Sequence, residues 1–348
     1  MQTKKGMVKY FILIISIAVF IGVFIFSFND INAIFEVLRE ANYKYVLYAF
    51  LFLLIYVILL PISMLVILYG KKENIKFIDA YNIVASEFFF RGVTPFNAGG
   101  EPFQIYGFNC CNVKTSRATS VVLMNFAVFQ VLTNILCFLA FGIYYKQIYA
   151  TLSNYFYIII IGFVVNIFTM IFLFFAMSKK MGGIAIRFCH WLGNKKITKK
   201  LLTEKRLASL DQYFLDMANA SHELIKQWPI MLLCAFVKLI SILAYNAIPY
   251  FVFKALGVDL NISQIIFITM MTIFTMTMLI WVPTPGASGG IEFVFTIIFA
   301  SLGATGAKAV SGMLIWRLLT YYFLLIYGFI CYLVFTKRRK KYEDRNIY

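Results

Sequence analysis

Charge is scarce in this sequence. Asp, Glu, Lys and Arg make up 14% of its 348 residues, against about a quarter in soluble domains. The two histidines, His190 and His222, lie far apart, and the six cysteines are scattered with only Cys110 and Cys111 adjacent. No C-x-x-C spacing occurs, so a zinc or redox centre is not expected, and no other cofactor is implied. The phosphate-cradling pattern G-x-x-x-x-G-K followed by Ser or Thr is missing, which argues against direct use of a nucleoside triphosphate. Short alternating segments of the kind that build membrane β-barrels are also missing. The first apolar block has no small-x-small cleavage site, so it reads as a retained anchor and not as a removable leader.

What the chain has instead is apolar surface: 62% hydrophobic residues and a mean hydropathy of +0.83. It comes in long unbroken runs, and a helix crossing the hydrocarbon of a bilayer needs about 20 such residues. Met7–Ser27, Tyr45–Leu68, Ser120–Tyr145, Tyr155–Met177, Pro229–Phe253 and Val310–Phe335 all qualify. The expected fold class is an all-α polytopic integral membrane protein.

Basic residues accumulate on the cytoplasmic side of membrane proteins. Lys4, Lys5 and Lys9 precede the first run, Lys71, Lys72 and Lys76 follow the second, and Lys337 to Lys341 close the last. The segment Ser178–Trp228 carries ten bases against the four acids Glu204, Asp211, Asp216 and Glu223. The alternate loops carry few bases, so both termini are expected inside, in a bacterial cell membrane. The net charge of +17 is then an orienting excess suited to an anionic leaflet, and nucleic acid is not an expected partner. Within that segment, Lys195–Gln227 spaces Leu201, Leu202, Leu207, Leu210, Phe214 and Leu215 as an amphipathic helix would. It reads either as a helix lying on the membrane surface or as a plain connecting helix.

Two apolar stretches are interrupted. Arg91–Phe103 breaks Phe77–Asn112, and Val282–Phe293 breaks Ile262–Leu302. Thr94-Pro95 aligns with Thr284-Pro285, Gly99-Gly100 with Gly289-Gly290 and Phe103 with Phe293, at one constant offset of 190 residues (284 − 94). Proline and paired glycine do not continue a helix, and unpaired backbone does not face lipid. Each stretch is therefore expected to be a helical hairpin folded around a buried loop. Three spans separate the two, so they enter from opposite faces. The resulting architecture is an inverted repeat of about six full spans plus two re-entrant hairpins, with eight to ten spans as the alternative. Residues 1–348 form one membrane domain, with half-repeats 1–153 and 154–348 and a cytoplasmic insert at 179–227.

Broken helices in matching positions of inverted halves point to a substrate site near the midplane. Half-helices starting near Gly99–Pro102 and Ser288–Glu292 would aim their amino ends at the membrane centre, where free N–H groups suit a phosphate or carboxylate. Ser288 fits a cap there and Pro102 a first turn. Glu101 and Glu292 sit in those first turns, either compensating the dipole or meeting a cationic headgroup. Arg317 lies deep in the last span and is the strongest charged candidate, with Lys238 weaker. Arg91 stands four residues after Glu87 and can pair with it. Asn125, Gln130 and Asn134 line one span, where interhelical hydrogen bonding is the default. The candidate substrate-binding set is Arg91, Thr94, Asn97, Gly99, Gly100, Glu101, Thr284, Ser288, Gly289, Gly290, Glu292 and Arg317. No catalytic residue or metal ligand is assigned.

Three ordered motifs carry a resemblance: Thr94-Pro-x-x-Ala-Gly-Gly-Glu-Pro102, Pro283-Thr-Pro-Gly-x-x-Gly-Gly-x-Glu292 and Trp316-Arg-Leu-Leu-Thr-Tyr-Tyr322. Together they resemble the lysylphosphatidylglycerol synthase transmembrane-region family, the flippase-like part of the multiple peptide resistance factor. The resemblance covers nearly the whole chain. It implies movement of phosphatidylglycerol-type or lysyl-phosphatidylglycerol lipid between leaflets, with resistance to cationic antimicrobial peptides as the outcome. Relatives are also tied to polyprenyl-phosphate sugar pathways. The family's enzyme name is phosphatidylglycerol lysyltransferase, yet full-length members carry that chemistry on a soluble domain after the membrane part. This sequence ends at Tyr348, about a dozen residues past the last span, so a stand-alone form is expected and lysyl transfer by the chain alone is not. The implied partners are a phospholipid and the membrane, with a separate synthase or a second copy of the chain as further candidates.

Overall fold

The computed structural model describes residues 36–70, 73–152, 156–176, 178–193, 204–279, 284, 286, 289–304 and 306–345. The expected span Met7–Ser27 and the candidate Ser288 lie outside these residues. Helix is the only regular structure among them. In chain order the first half contributes α1 (Tyr43–Gly70), α2 (Phe77–Ala85), α3 (Glu87–Val93), α4 (Gly100–Cys110) and α5 (Thr115–Leu152). There follow α6 (Phe156–Ala176), α7 (Lys179–Gly193), α8 (Glu204–Lys226) and α9 (Trp228–Ala255). The chain then forms α10 (Gln264–Met278), α11 (Gly290–Ser301), α12 (Gly306–Arg317), a π turn over Leu318–Phe323, and α13 (Leu324–Arg345).

Helices α1, α5, α9 and the continuous α12–α13 rod are long and apolar enough to cross a bilayer. Helix α6 adds 21 residues without a charged side chain, about 31 Å of helix. The protein is an all-α polytopic integral membrane protein. Its core joins α1 and α9, which run antiparallel along their lengths. Gly70 at the end of α1 faces Ile230 at the start of α9, and the Asn42 amide before α1 donates to Ala255 O at 2.7 Å. Aromatic contacts fill the seam, with Tyr56 and Tyr245 ring centroids 4.5 Å apart and Phe52 and Phe251 4.7 Å apart.

Both interrupted stretches are hairpins. In the first, α2 bends into α3 at Ser86, and α4 returns alongside them. Helix α4 has 11 residues and α11 has 12, so each is about 16–18 Å long against a hydrocarbon thickness of about 30 Å. Neither can be a full span. The two ends of the first hairpin sit beside the basic C-terminal segment: Arg338 pairs with Asp79 of α2 at 2.5 Å, and Arg339 donates to the Tyr106 hydroxyl of α4 at 2.5 Å. The second hairpin opens at the other end of the molecule. Phe267 of α10 packs on Tyr144 near the end of α5, and Phe299 of α11 stacks on Phe253 near the end of α9. The hairpins therefore enter from opposite ends.

The first hairpin is fixed in place by α13. Gly328 faces the kink at Ser86, where a Cβ would lie 2.5 Å from the Phe89 amide nitrogen and 3.2 Å from Ala85 O. Backbone cannot step aside as a side-chain tip can, so Gly328→Ala is expected to cost about 1–3 kcal/mol and to lower the melting temperature in detergent. At Gly142 a Cβ meets nothing within 4 Å, and Gly142→Ala should leave the melting temperature level or slightly raised.

Helix α8 covers the later part of the Lys195–Gln227 stretch, and part of its apolar face is used against protein. Leu207, Met217 and Ala218 are buried, Tyr213 donates to Thr119 Oγ1 at 2.9 Å, and Ser120 donates to Met217 O at 2.9 Å. It is a connecting helix packed on the start of α5. Helix α7 instead leaves Ile184, Phe188 and Trp191 exposed along with Lys180 and Arg187. Lys114 and Gln212 both bond Asp216, which holds its carboxyl below the usual aspartate range. A depressed carboxyl stabilises the fold above its unfolded pKa of about 3.9 and loses that contribution as pH falls through the lower folded value. The protection factors of the α8 amides against exchange should therefore fall below about pH 4, and Asp216→Asn should remove this acid sensitivity.

Candidate functional site

The tip of the first hairpin is built around Arg91. Its guanidinium bonds Glu101 in the first turn of α4 and lies 3.4 Å from Glu87 one turn back on α3. The expected i,i+4 pair is present, but Arg91 also spans to the opposite arm. Gln104 donates to Glu87, which is buried. Thr94 closes the loop: its hydroxyl donates to Phe90 O at 2.7 Å and accepts from the Gly99 amide at 2.9 Å. Close approach explains the glycine pair. A Cβ at Gly100 would lie 2.9 Å from Arg91 Cγ, and one at Gly99 would lie 2.7 Å from Phe90 O. Asn97 takes part through its backbone, with φ at +54° and its amide donating to Thr94 O at 3.3 Å.

Lys238 of α9 reaches the same region. It is 1% exposed and donates to Asn125 O at 3.1 Å, with its ammonium 5.9 Å from the Phe129 ring centre. Glu87, Arg91, Glu101, Gln104 and Lys238 line one small interior space of about 10 Å³, room for one water. Two acids and two bases leave it neutral.

The tip of the second hairpin repeats the pairing with a different donor. Glu292 in the first turn of α11 accepts from the Gly289 amide at 2.7 Å and pairs with Arg317 at 2.7 Å. Gly289, at φ +93°, is the residue that caps α11, a role the sequence had suggested for Ser288. Gly290 opens the helix, and Thr284 is half-buried in the preceding loop. Both terminal nitrogens of Arg317 also donate to Gly286 O at 3.3 Å. Arg317 is 7% exposed and lies against the Trp316 and Tyr321 rings, 5.3 Å from each centre. The π turn begins immediately after it, a local widening often found at functional positions.

Tyr321, inside that turn, joins the two tips. Its hydroxyl donates to Gly92 O of the first hairpin at 2.9 Å. Its ring stands against Gly286 of the second, where a Cβ would come within 2.4 Å of a ring carbon. Gly92 of the first hairpin and Gly286 of the second thus meet through one side chain.

Residues 11–328 match the profile of the Lysylphosphatidylglycerol synthase TM region family. The chain belongs to that family. Membership gives the chain a role connected with membrane lipids. Comparisons with curated proteins and with solved structures found no match.

Some of the interior's residues carried no functional signal in the sequence. Gln104 lies one turn beyond Glu101 and reads as ordinary helix. Tyr56 and Tyr245, their rings tilted at 41° to each other, connect the two charged regions: Tyr56 is a neighbour of Glu87 and Arg91, and Tyr245 of Arg317 and Thr320. Tyr321 stands out in the sequence only as part of the Trp316–Tyr322 motif. Gln130 bonds Asn166 at 2.9 Å, and Asn166 bonds Thr277 O at 2.6 Å, linking α5, α6 and α10. Asn134 is spent within its own helix, on Gln130 O at 2.8 Å. Asp79, bound to Arg338, is accounted for as a structural ion pair. No cluster of three or more potential metal ligands occurs among the described residues.

Proposed function

We propose that this protein is a lipid translocase that moves a phosphatidylglycerol-type or lysyl-phosphatidylglycerol lipid between the leaflets of a bacterial cell membrane. The observation that carries the proposal is the meeting of two inverted, discontinuous hairpins at Tyr321. Each brings an Arg–Glu pair to a helix amino end, partly exposed in the first hairpin and buried in the second. Inverted elements around one central site are the usual basis of alternating access. The phosphate binds where Arg91 and Arg317 hold positive charge beside the amino ends of α4 and α11. Thr94, Asn97, Gly99, Gly100, Thr284, Gly289 and Gly290 shape the two loops around it. Glu101 and Glu292 fix the arginines and hold the headgroup region electrically balanced. Rocking of the half-repeats, residues 1–153 against 154–348, exposes the site to each face in turn.

The distribution of lysine and arginine supports a cytoplasmic position for both termini. Outward delivery of a less anionic lipid would lower the attraction of the cell surface for cationic antimicrobial peptides. The test is the full chain in liposomes with fluorescent phosphatidylglycerol in the inner leaflet. Transfer to the outer leaflet should exceed that of empty vesicles and should fall to background in Arg317→Ala. Background transfer by the intact protein, with each candidate lipid, would end the translocase proposal. Formation of a new lipid product by the chain alone would replace it with a membrane transferase. Transfer that appears only after a soluble synthase is added would make the chain a subunit.

A further inference from the structure

Helix α7 is tied closely to a membrane span. Helix α6 ends at Ala176 and α7 begins at Lys179, a step of at most about 11 Å along the chain. Helix α7 packs against α8, and α8 rests on the start of α5. That start follows α4, whose Tyr106 is bonded to Arg339. The helix therefore sits at the membrane boundary, at the end of the molecule that carries the basic C-terminal segment.

One side of α7 is engaged by protein: His190 bonds Asp211 of α8 at 2.9 Å. Another is uncovered. Ile184, Phe188 and Trp191 are 48%, 57% and 52% exposed, and the Phe188 and Trp191 rings stack 5.8 Å apart. At about 100° per residue the three lie within about 60° of one another, and His190 is turned about 100° from Trp191. Lys180 and Arg187, both exposed, fall on the flank of this stripe next to Trp191.

Charge narrows what can cover the stripe. Residues 179–203 contain seven bases and no acid. A second copy of the chain, docked through the same face, would bring the same positive charge against it. A lipid surface satisfies both features. A helix lying in the interface sinks its apolar face about 5–10 Å below the headgroups. Lysine and arginine on its flank then stay level with the headgroups and attract anionic ones, and tryptophan favours the same depth.

We infer that α7 is an interfacial helix that binds an anionic leaflet. The Ile184–Phe188–Trp191 stripe lies at the acyl boundary, and Lys180 and Arg187 meet the anionic headgroups. Through His190 and Asp211 the bound leaflet also holds α8, whose Tyr213 and Met217 are bonded to the start of α5.

The full chain in lipid nanodiscs tests this. Trp191 is one of four tryptophans, so its emission is read as the difference between the parent and Trp191→Phe. Acrylamide, a neutral aqueous quencher, should reach it about ten-fold less in phosphatidylcholine discs containing phosphatidylserine than in phosphatidylcholine alone. Lipid brominated in the upper acyl chain should quench it in the anionic discs. Lys180→Glu combined with Arg187→Glu should return acrylamide access to the phosphatidylcholine level. If that variant does not fold, the parent in about 1 M salt, where screening acts within about 3 Å, should show the same release. Equal acrylamide access in the two kinds of disc would overturn the inference. So would protection from acrylamide without quenching by the brominated lipid, since protein would then cover the stripe. Lipid transfer is not part of the readout, so failure of the translocase reading leaves this inference standing.

Discussion

Replacing Arg317 by glutamine is expected to destabilise the protein by about 3–5 kcal/mol and to abolish lipid transfer. Glu292 is 8% exposed, and its strong partners are the Gly289 amide and the Arg317 guanidinium. Without the arginine a buried carboxylate is left uncompensated, and Gly286 O loses both of its donors. The loop leading into α11 would then be held less firmly against Tyr321. Thermal melting of the full chain in detergent measures the first effect, and the liposome assay measures the second. A buried ion pair adds little over well-packed apolar residues. The double variant Arg317→Leu with Glu292→Gln should therefore recover much of the stability and none of the transfer. An Arg317→Gln protein with the parent melting temperature and transfer rate would refute this account of the second tip.

Arg91→Leu should be at least as damaging, because this guanidinium serves two carboxylates. Glu87 is 4% exposed and Glu101 partly buried, and removing the arginine leaves them facing each other with Lys238 as the remaining nearby cation. The expected loss is again about 3–5 kcal/mol, with like-charge repulsion added. Adding Glu101→Gln to Arg91→Leu should restore part of the melting temperature, since one of the stranded charges is gone. If the second substitution lowers stability further, Glu101 is held by something other than Arg91. Gly100→Ala acts on the same contact more mildly: the new methyl would press on Arg91 Cγ at 2.9 Å and should weaken transfer more than folding.

Much of the fold was legible because its signals are local. The runs behind α1, α5, α6, α9 and the C-terminal rod follow from length and apolarity, and their ends lie within a few residues of the helix ends observed for α1 and α9. The hairpins were legible because Pro and paired Gly interrupt apolar sequence twice at one offset. The ion pair between Glu87 and Arg91 was legible from helix geometry alone. The kink at Ser86 was not, since Ala85-Ser86-Glu87 contains neither proline nor glycine. The bend lies against α13, where the Gly328 contact leaves no room between the backbones.

The candidate site divides the same way. The sequence named Arg91, Glu101, Glu292 and Arg317, but the Arg91–Glu101 and Arg317–Glu292 pairings were not written there. Arg317 finds Glu292 across 25 residues and Tyr321 finds Gly92 across 229. Lys238 is the residue whose weight rose most, because only packing places it beside Glu87 and Glu101.

By itself the sequence determined that this chain lives in a membrane, that it folds as helices and that two of its segments break off inside. Those outcomes depend on the free energy of moving each stretch of chain out of water, which is set by the stretch itself. Which charges neutralise one another and which helix face stays uncovered were decided by the tertiary structure. They depend on distances between side chains tens or hundreds of residues apart, and those distances exist only once the helices have packed.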